Sequence, residues 1–224
     1  VSDQRCPLDG SPLYGWLKLP DPQAPATVGR PVPEGGVTRV LDRCEECGVG
    51  VLDGGGPVDL RREMSAIETT LDDGSPAVAA ANRRSWQASL GGEGWAALDL
   101  HAGRLLLTPR ALELLAERTG AEVEEVRFPV LGRNQVWMWQ TLLNALTFHP
   151  NFAREVRAGR LRMSNSRNRF AFVADCVATV LAAPLVLLAS VPLELVAVLS
   201  RRGGAMVAPL RDPLAQDAES GPLS

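Results

Sequence analysis

The sequence has little histidine. His101 and His149 are the only two among 224 residues, and their spacing does not suit a metal site. The His-Glu-x-x-His motif, the Gly-x-Ser-x-Gly elbow and the phosphate-binding P-loop do not occur, which removes the usual signatures of zinc-protease, serine-hydrolase and nucleotide-phosphate chemistry. There is no excess of positive charge. With 23 basic and 26 acidic residues the net charge is -3, so nucleic acid is not an expected partner. Cysteine is sparse as well: Cys6, Cys44, Cys47 and Cys176. Their placement suits a metal knuckle in a reducing compartment better than a disulfide framework. No secretory signal pattern opens the chain, and a cytoplasmic setting is expected. The paired acids Asp72-Asp73 and Glu124-Glu125 lie in polar surroundings that read as surface. No residue is singled out as catalytic.

Three of the cysteines carry a specific signal. Zinc ribbons use four ligands, usually two Cys-x-x-Cys knuckles on neighbouring hairpin turns. Cys44 and Cys47 form one such knuckle, with Gly48 allowing the tight turn. The other knuckle reads C-P-L-D-G, so Asp9 stands where a second sulfur would follow Cys6. A carboxylate oxygen can bind zinc. The expected metal ligands are therefore Cys6, Asp9, Cys44 and Cys47, holding a structural zinc ion. The competing reading is a ribbon that has lost its metal and keeps its cysteines as buried apolar residues.

VLDGGG, just after the second knuckle, has the letters of a nucleotide-binding glycine loop. Such a loop joins a buried strand to a helix N-terminus. Here the preceding strand belongs to the knuckle, Pro57 follows directly, and no acid ends a second strand roughly 20 residues on, as a ribose contact requires. The stretch reads as a flexible linker, and no cofactor-binding residue is assigned.

Along the chain, PLYGWLKLP and GVTRVLDRC read as strands. Apolar Leu60, Met64, Ile67 and Leu71 at helical spacing predict a helix over 58–71. SPAVAAANR reads as a short buried strand. Thr108 as N-cap, Pro109 at the first helical position and Gly120 as stop define the clearest helix. AEVEEVRFPV alternates as a strand, NQVWMWQTLLNALT reads as a helix, and AMVAPL as a last strand. The stretch GRNQVWMWQTLLN is a candidate lining for a lipid-facing groove.

A long apolar run follows a basic segment. Arg154, Arg157, Arg160, Arg162, Arg167 and Arg169 face a single acid, Glu155. Then comes FAFVADCVATVLAAPLVLLASVPLELVAVLS, closed by Arg201 and Arg202. The run is long enough to cross a bilayer, but Asp175 and Glu194 sit near its ends, and Pro184 and Pro192 are expected to kink it. At roughly 100° per residue, Thr179, Ser190, Glu194 and Ser200 cluster on the side of Asp175. A narrow polar stripe thus divides a wide apolar surface. Positive flanks suit an anionic membrane surface. Packing on the sheet, a protein partner or a homodimer interface is the alternative.

The stretch ANRRSWQASLGGEGWAALDLHAGRLLLTPRALELLAERTGAEVEEVR, from Ala81 to Arg127, resembles the C-terminal half of class I S-adenosylmethionine-dependent methyltransferases. The similar members are bacterial, related to ubiquinone- and glycan-type methyltransferases. MWQTLLN, the apolar segment after it, and RRGGAMVAPLR look like the insertion and last strand of the same proteins, and some members begin with a pair of Cys-x-x-Cys knuckles. The departures are large. Between Cys47 and Ala81 lie 33 residues, where the family needs roughly a hundred for its cofactor-binding βα units. Gly103 and Leu106 occupy the places of two family histidines, while Thr108 and Pro109 survive.

The resemblance implies the scaffold side of the fold without its cofactor side. The expected class is α/β (α+β), with a zinc-ribbon-like β segment and linker (1–57) and a reduced methyltransferase-like core (58–150). A basic segment with a long hydrophobic helical segment (151–202), a final strand (203–211) and a disordered tail (212–224) follow. The expected function is a non-catalytic, membrane-associated binding or scaffold protein at the inner face of the cell membrane, whose isolated chain does not bind S-adenosylmethionine. The alternatives are a methyltransferase truncated or completed by another chain, and a small integral membrane protein of unrelated function.

Overall fold

The structure is a computed structural model that describes residues 4–19, 39–52, 56–98, 103–130, 132–149, 151–159, 161–163 and 169–211. The expected disordered tail and the Asp53–Gly55 part of VLDGGG lie outside the described residues. The architecture is mixed α+β, with two small antiparallel sheets and a long apolar helix near the C-terminus.

The first sheet begins with β1 (Leu13–Leu19), β2 (Arg39–Cys44) and β3 (Gly50–Leu52). Leu13 pairs with Cys44 and Leu41 with Leu52, so the second knuckle forms the turn between β2 and β3. β6 (Leu105–Leu106) then adds to β3, with Gly50 opposite Leu106. Val51 and Leu52, expected in a flexible linker, are instead buried strand residues. Their apolar side chains gain more from the core than a linker would give them.

The second sheet has three strands, all antiparallel. The predicted 58–71 helix is shorter than its apolar spacing suggested. α1 (Leu60–Ser65) is capped by Asp59, whose carboxylate accepts the Arg61 and Arg62 N–H groups, and ends at Ala66. Glu68–Thr70 is β4, paired with β5 (Pro76–Ala81). Asp73 accepts the Ser75 N–H and Gly74 takes a φ of 85° between them. This hairpin turn, with β-branched Thr69 and Thr70 before it, wins over helical continuation. β7 (Ala205–Pro209) lies on the other side of β5. AEVEEVRFPV, expected as a strand, makes only two bridges to this edge, Val123 to Leu210 and Arg127 to Val207.

α2 (Trp86–Gly91) is capped by the Ser85 hydroxyl, and α3 (Pro109–Thr119) by Thr108 and Gly120 as predicted. α4 (Arg133–Asn144) and α5 (Phe152–Arg157) lead to α6 (Arg169–Leu199). The main core packs Val78, Met206, Leu112 and Leu115 against Leu8, Val49, Cys6, Cys44 and Cys47. The cysteine loops and the α/β body therefore share one core.

α6 continues as one 31-residue helix through Pro184 and Pro192; the prolines do not end it. Its polar stripe faces the body. Asp175, Ser190 and Glu194 are buried, whereas twelve large apolar side chains of the same helix are exposed. The Asp175 carboxylate accepts the Phe148 and His149 N–H groups and meets His149 Nδ1. Glu194 accepts from Gln87 Nε2 and from the Gly204 N–H. Between them, the Trp139 indole N–H donates to the Ala183 carbonyl at 3.1 Å.

Candidate metal centre

The two ligand loops are built alike. In each, the first cysteine's N–H bonds to the carbonyl five residues on: Cys6 to Ser11 at 2.8 Å and Cys44 to Val49 at 2.9 Å. In each, a left-handed glycine follows the fourth position, Gly10 at φ 78° and Gly48 at φ 75°. Only glycine takes that conformation without strain. The equivalence places Asp9 in its loop where Cys47 stands in the other.

The structure brings all four predicted ligands together. Their ligand atoms lie within 4.8 Å of one another, and the three cysteines are buried. Cys6 Sγ is 3.6 Å from Cys47 Sγ, and Cys44 Sγ is 3.3 Å from Asp9 Oδ2. Around tetrahedral zinc, a sulfur–sulfur edge is about 3.8 Å and a sulfur–oxygen edge about 3.5 Å. The cluster is thus near the size a zinc ion needs. Three thiolates and one carboxylate fill a tetrahedron and leave no open position for a substrate. Cys176 lies elsewhere, on α6, and is not part of the cluster.

The four groups differ in protonation because of their mutual hydrogen bonds and their burial. Cys6 is lowered to about 7 because the Cys47 thiol hydrogen-bonds its thiolate. That same bond, with burial, pushes Cys47 up. Burial also raises Cys44. For Asp9, burial acts upward, but the Ser11 N–H and the neighbouring thiols outweigh it and hold the carboxyl below the usual range.

The body grips both loops through carbonyl groups. Thr108 Oγ1 donates to the Cys47 carbonyl at 2.6 Å and also accepts the Ala111 N–H. Arg83 Nη1 donates to the Gly48 carbonyl at 2.7 Å, and its guanidinium lies 4.0 Å over the Trp16 ring. Arg118 Nε donates to the Leu8 carbonyl at 3.1 Å. A site with zinc, three thiolates and a carboxylate carries a net charge of about -2, and the partly buried Arg83 opposes it. Sequence spacing gave the ligands but not these three holders. Only Thr108 had a local signal, as a helix cap.

A second feature is a cleft of about 480 Å³ on the far face of the β4–β5–β7 sheet, lined by Ala79, Ala81, Leu105, Val207 and Trp137. Trp137 comes from the predicted groove-lining stretch. Glu63 on the cleft wall is already engaged, accepting the Arg104 and Leu105 N–H groups. His149, which carried no motif, is buried against Asp175. Comparison with protein-family models, with curated proteins and with solved structures found no match to this chain.

Proposed function

We propose that this chain is a non-catalytic, membrane-associated binding or scaffold protein. In this reading a reduced methyltransferase-like frame is locked by a structural zinc ion and held at the inner face of the cell membrane by α6. The observation that carries it is the inverted amphipathicity of α6, with its acidic residues Asp175 and Glu194 inward and its large apolar side chains outward. Twelve exposed large side chains amount to apolar surface on the order of 1,000 Å², where soluble monomers rarely expose more than a few hundred. The complete ligand tetrad supports a structural rather than a catalytic metal. The short interval before Ala81 and the replacement of two family histidines by Gly103 and Leu106 support a frame without cofactor chemistry.

Two measurements test the reading. Titration of the purified chain with S-adenosylmethionine should give no binding heat; micromolar affinity would overturn the non-catalytic assignment. Cell fractionation should place the chain with membranes, and recovery entirely in the soluble fraction would overturn the membrane assignment.

A further inference from the structure

Resting on that membrane reading, we infer that α6 lies in the plane of an anionic bilayer surface, half immersed, and does not cross it. By length alone it could cross. Thirty-one residues span about 46 Å at 1.5 Å each, against a hydrocarbon core of about 30 Å. The contacts with the body decide otherwise.

α6 is fastened at three levels: at Asp175 by the backbone of Phe148 and His149, at Ala183 by Trp139, and at Glu194 by Gln87 and Gly204. From Asp175 to Glu194 is about 28 Å, nearly the whole hydrocarbon thickness. A crossing helix has two options. It could carry the body with it, taking α4 and its Asn134, Gln140 and Thr141 into hydrocarbon. Or it could leave the body, exposing Asp175, Ser190 and Glu194 to lipid and freeing backbone N–H groups that water could not reach. Lying flat requires neither. The outward half enters the interface while the buried stripe stays paired.

The exposed face is continuous. At about 100° per residue, Phe170, Val177, Val180, Leu181, Leu188 and Leu199, all exposed, fall within one half of the helix circumference. Phe148, whose N–H bonds to Asp175, is also exposed and extends the face beside the helix.

Charge selects lipid over a second copy of the chain. Arg154, Arg157 and Arg169 are exposed before or at the start of α6, and Arg201 and Arg202 after it. Two of these have nearby acids, Arg154 with Glu155 at 3.5 Å and Arg201 with Glu125 at 3.4 Å. Exposed pairs of that kind are weak and screened. Both ends of the helix are thus basic. Pairing two copies, parallel or antiparallel, sets arginines against arginines. An anionic headgroup layer instead attracts both ends at once.

The test uses the full zinc-loaded chain added to preformed vesicles. It should float with mixed phosphatidylcholine and phosphatidylglycerol vesicles, and about tenfold less with phosphatidylcholine alone. Leu181→Glu/Leu188→Glu should abolish flotation while its circular dichroism melting curve is unchanged. Ala158→Cys and Ser200→Cys, each with Cys176→Ser, place a thiol before and after α6. A membrane-impermeant maleimide added outside should label both on vesicles. Protection of one of the two would show a crossing helix and overturn the in-plane inference, leaving membrane association standing. Equal flotation on neutral vesicles would overturn the anionic preference. No flotation on either vesicle, with a dimeric mass in solution, would overturn both this inference and the membrane reading.

Discussion

At the residue scale the metal ligands make sharp predictions. Asp9 contributes an oxygen where its partner loop contributes sulfur, and the two loops share backbone geometry. Asp9→Cys should therefore be accommodated and should tighten zinc binding by tenfold or more, a rough figure for exchanging a carboxylate for a thiolate. Cys44→Ser should abolish stoichiometric zinc in metal analysis of the purified protein; unchanged zinc content would remove the site. The proton balance sets the pH dependence. Cys44 and Cys47 are raised above the usual thiol value, so both are protonated at neutral pH without metal. Zinc must displace those two protons, and its apparent affinity should rise about a hundredfold per pH unit above pH 7. As pH falls below about 7, Cys6 also protonates and the slope steepens. Asp9 stays ionised throughout and adds no proton. Competition with a chromophoric chelator at several pH values measures the slope, and a pH-independent affinity would contradict the assigned ligands. The tetrad was legible because its spacing is local within each loop. Arg83, Thr108 and Arg118 were not, because their roles arise only when distant segments meet.

At the element scale α6 and α3 show what periodicity can and cannot reveal. α3 was legible at both ends, since Thr108, Pro109 and Gly120 mark them, while the burial of Leu112 and Leu115 is seen in the structure. α1 was overextended because Ile67 keeps helical spacing, yet its carbonyl accepts the Ala79 N–H across the β4–β5 hairpin. Local spacing cannot register a partner strand. For α6 the sequence showed a polar stripe on an apolar cylinder, but not which side faces the protein. The structure turns the stripe inward, which reverses the expected effects of substitution. Asp175→Ala should cost about 2–4 kcal/mol, because the Phe148 and His149 N–H groups lose their acceptor in a buried site. Leu181→Glu, a far less conservative change in hydropathy, should shift stability in solution by under about 0.5 kcal/mol, because the side chain is exposed. Urea unfolding of the two variants compares these directly. A large cost for Leu181→Glu would mean that this face is covered by protein.

At the scale of the whole molecule, the metal and the body should not separate. The cysteines sit in the same core as Leu112, Leu115, Val78 and Met206, and β3 of the ligand segment is paired with β6 of the body. Thr108, Arg83 and Arg118 tie both ligand loops to the body. A ribbon on a flexible tether would lose its own structure on chelation and leave the rest unchanged. Zinc held by the proposed tetrad would be a constraint common to both parts, because ligand binding to the folded state alone adds its free energy to the stability of everything that folds with it. Calorimetry of the zinc-loaded chain should show one transition, and the chelated chain one transition at lower temperature. For a cooperative unit of this size, each kcal/mol lost moves Tm by about 2–4 °C, so a structural zinc should shift it by well over 10 °C. A small early transition followed by an unchanged main one would show the ligand segment to be independent. The membrane face should then be unaffected by chelation, whereas in a shared core the same treatment should also weaken vesicle binding, by loosening the body that holds the polar stripe of α6 inward.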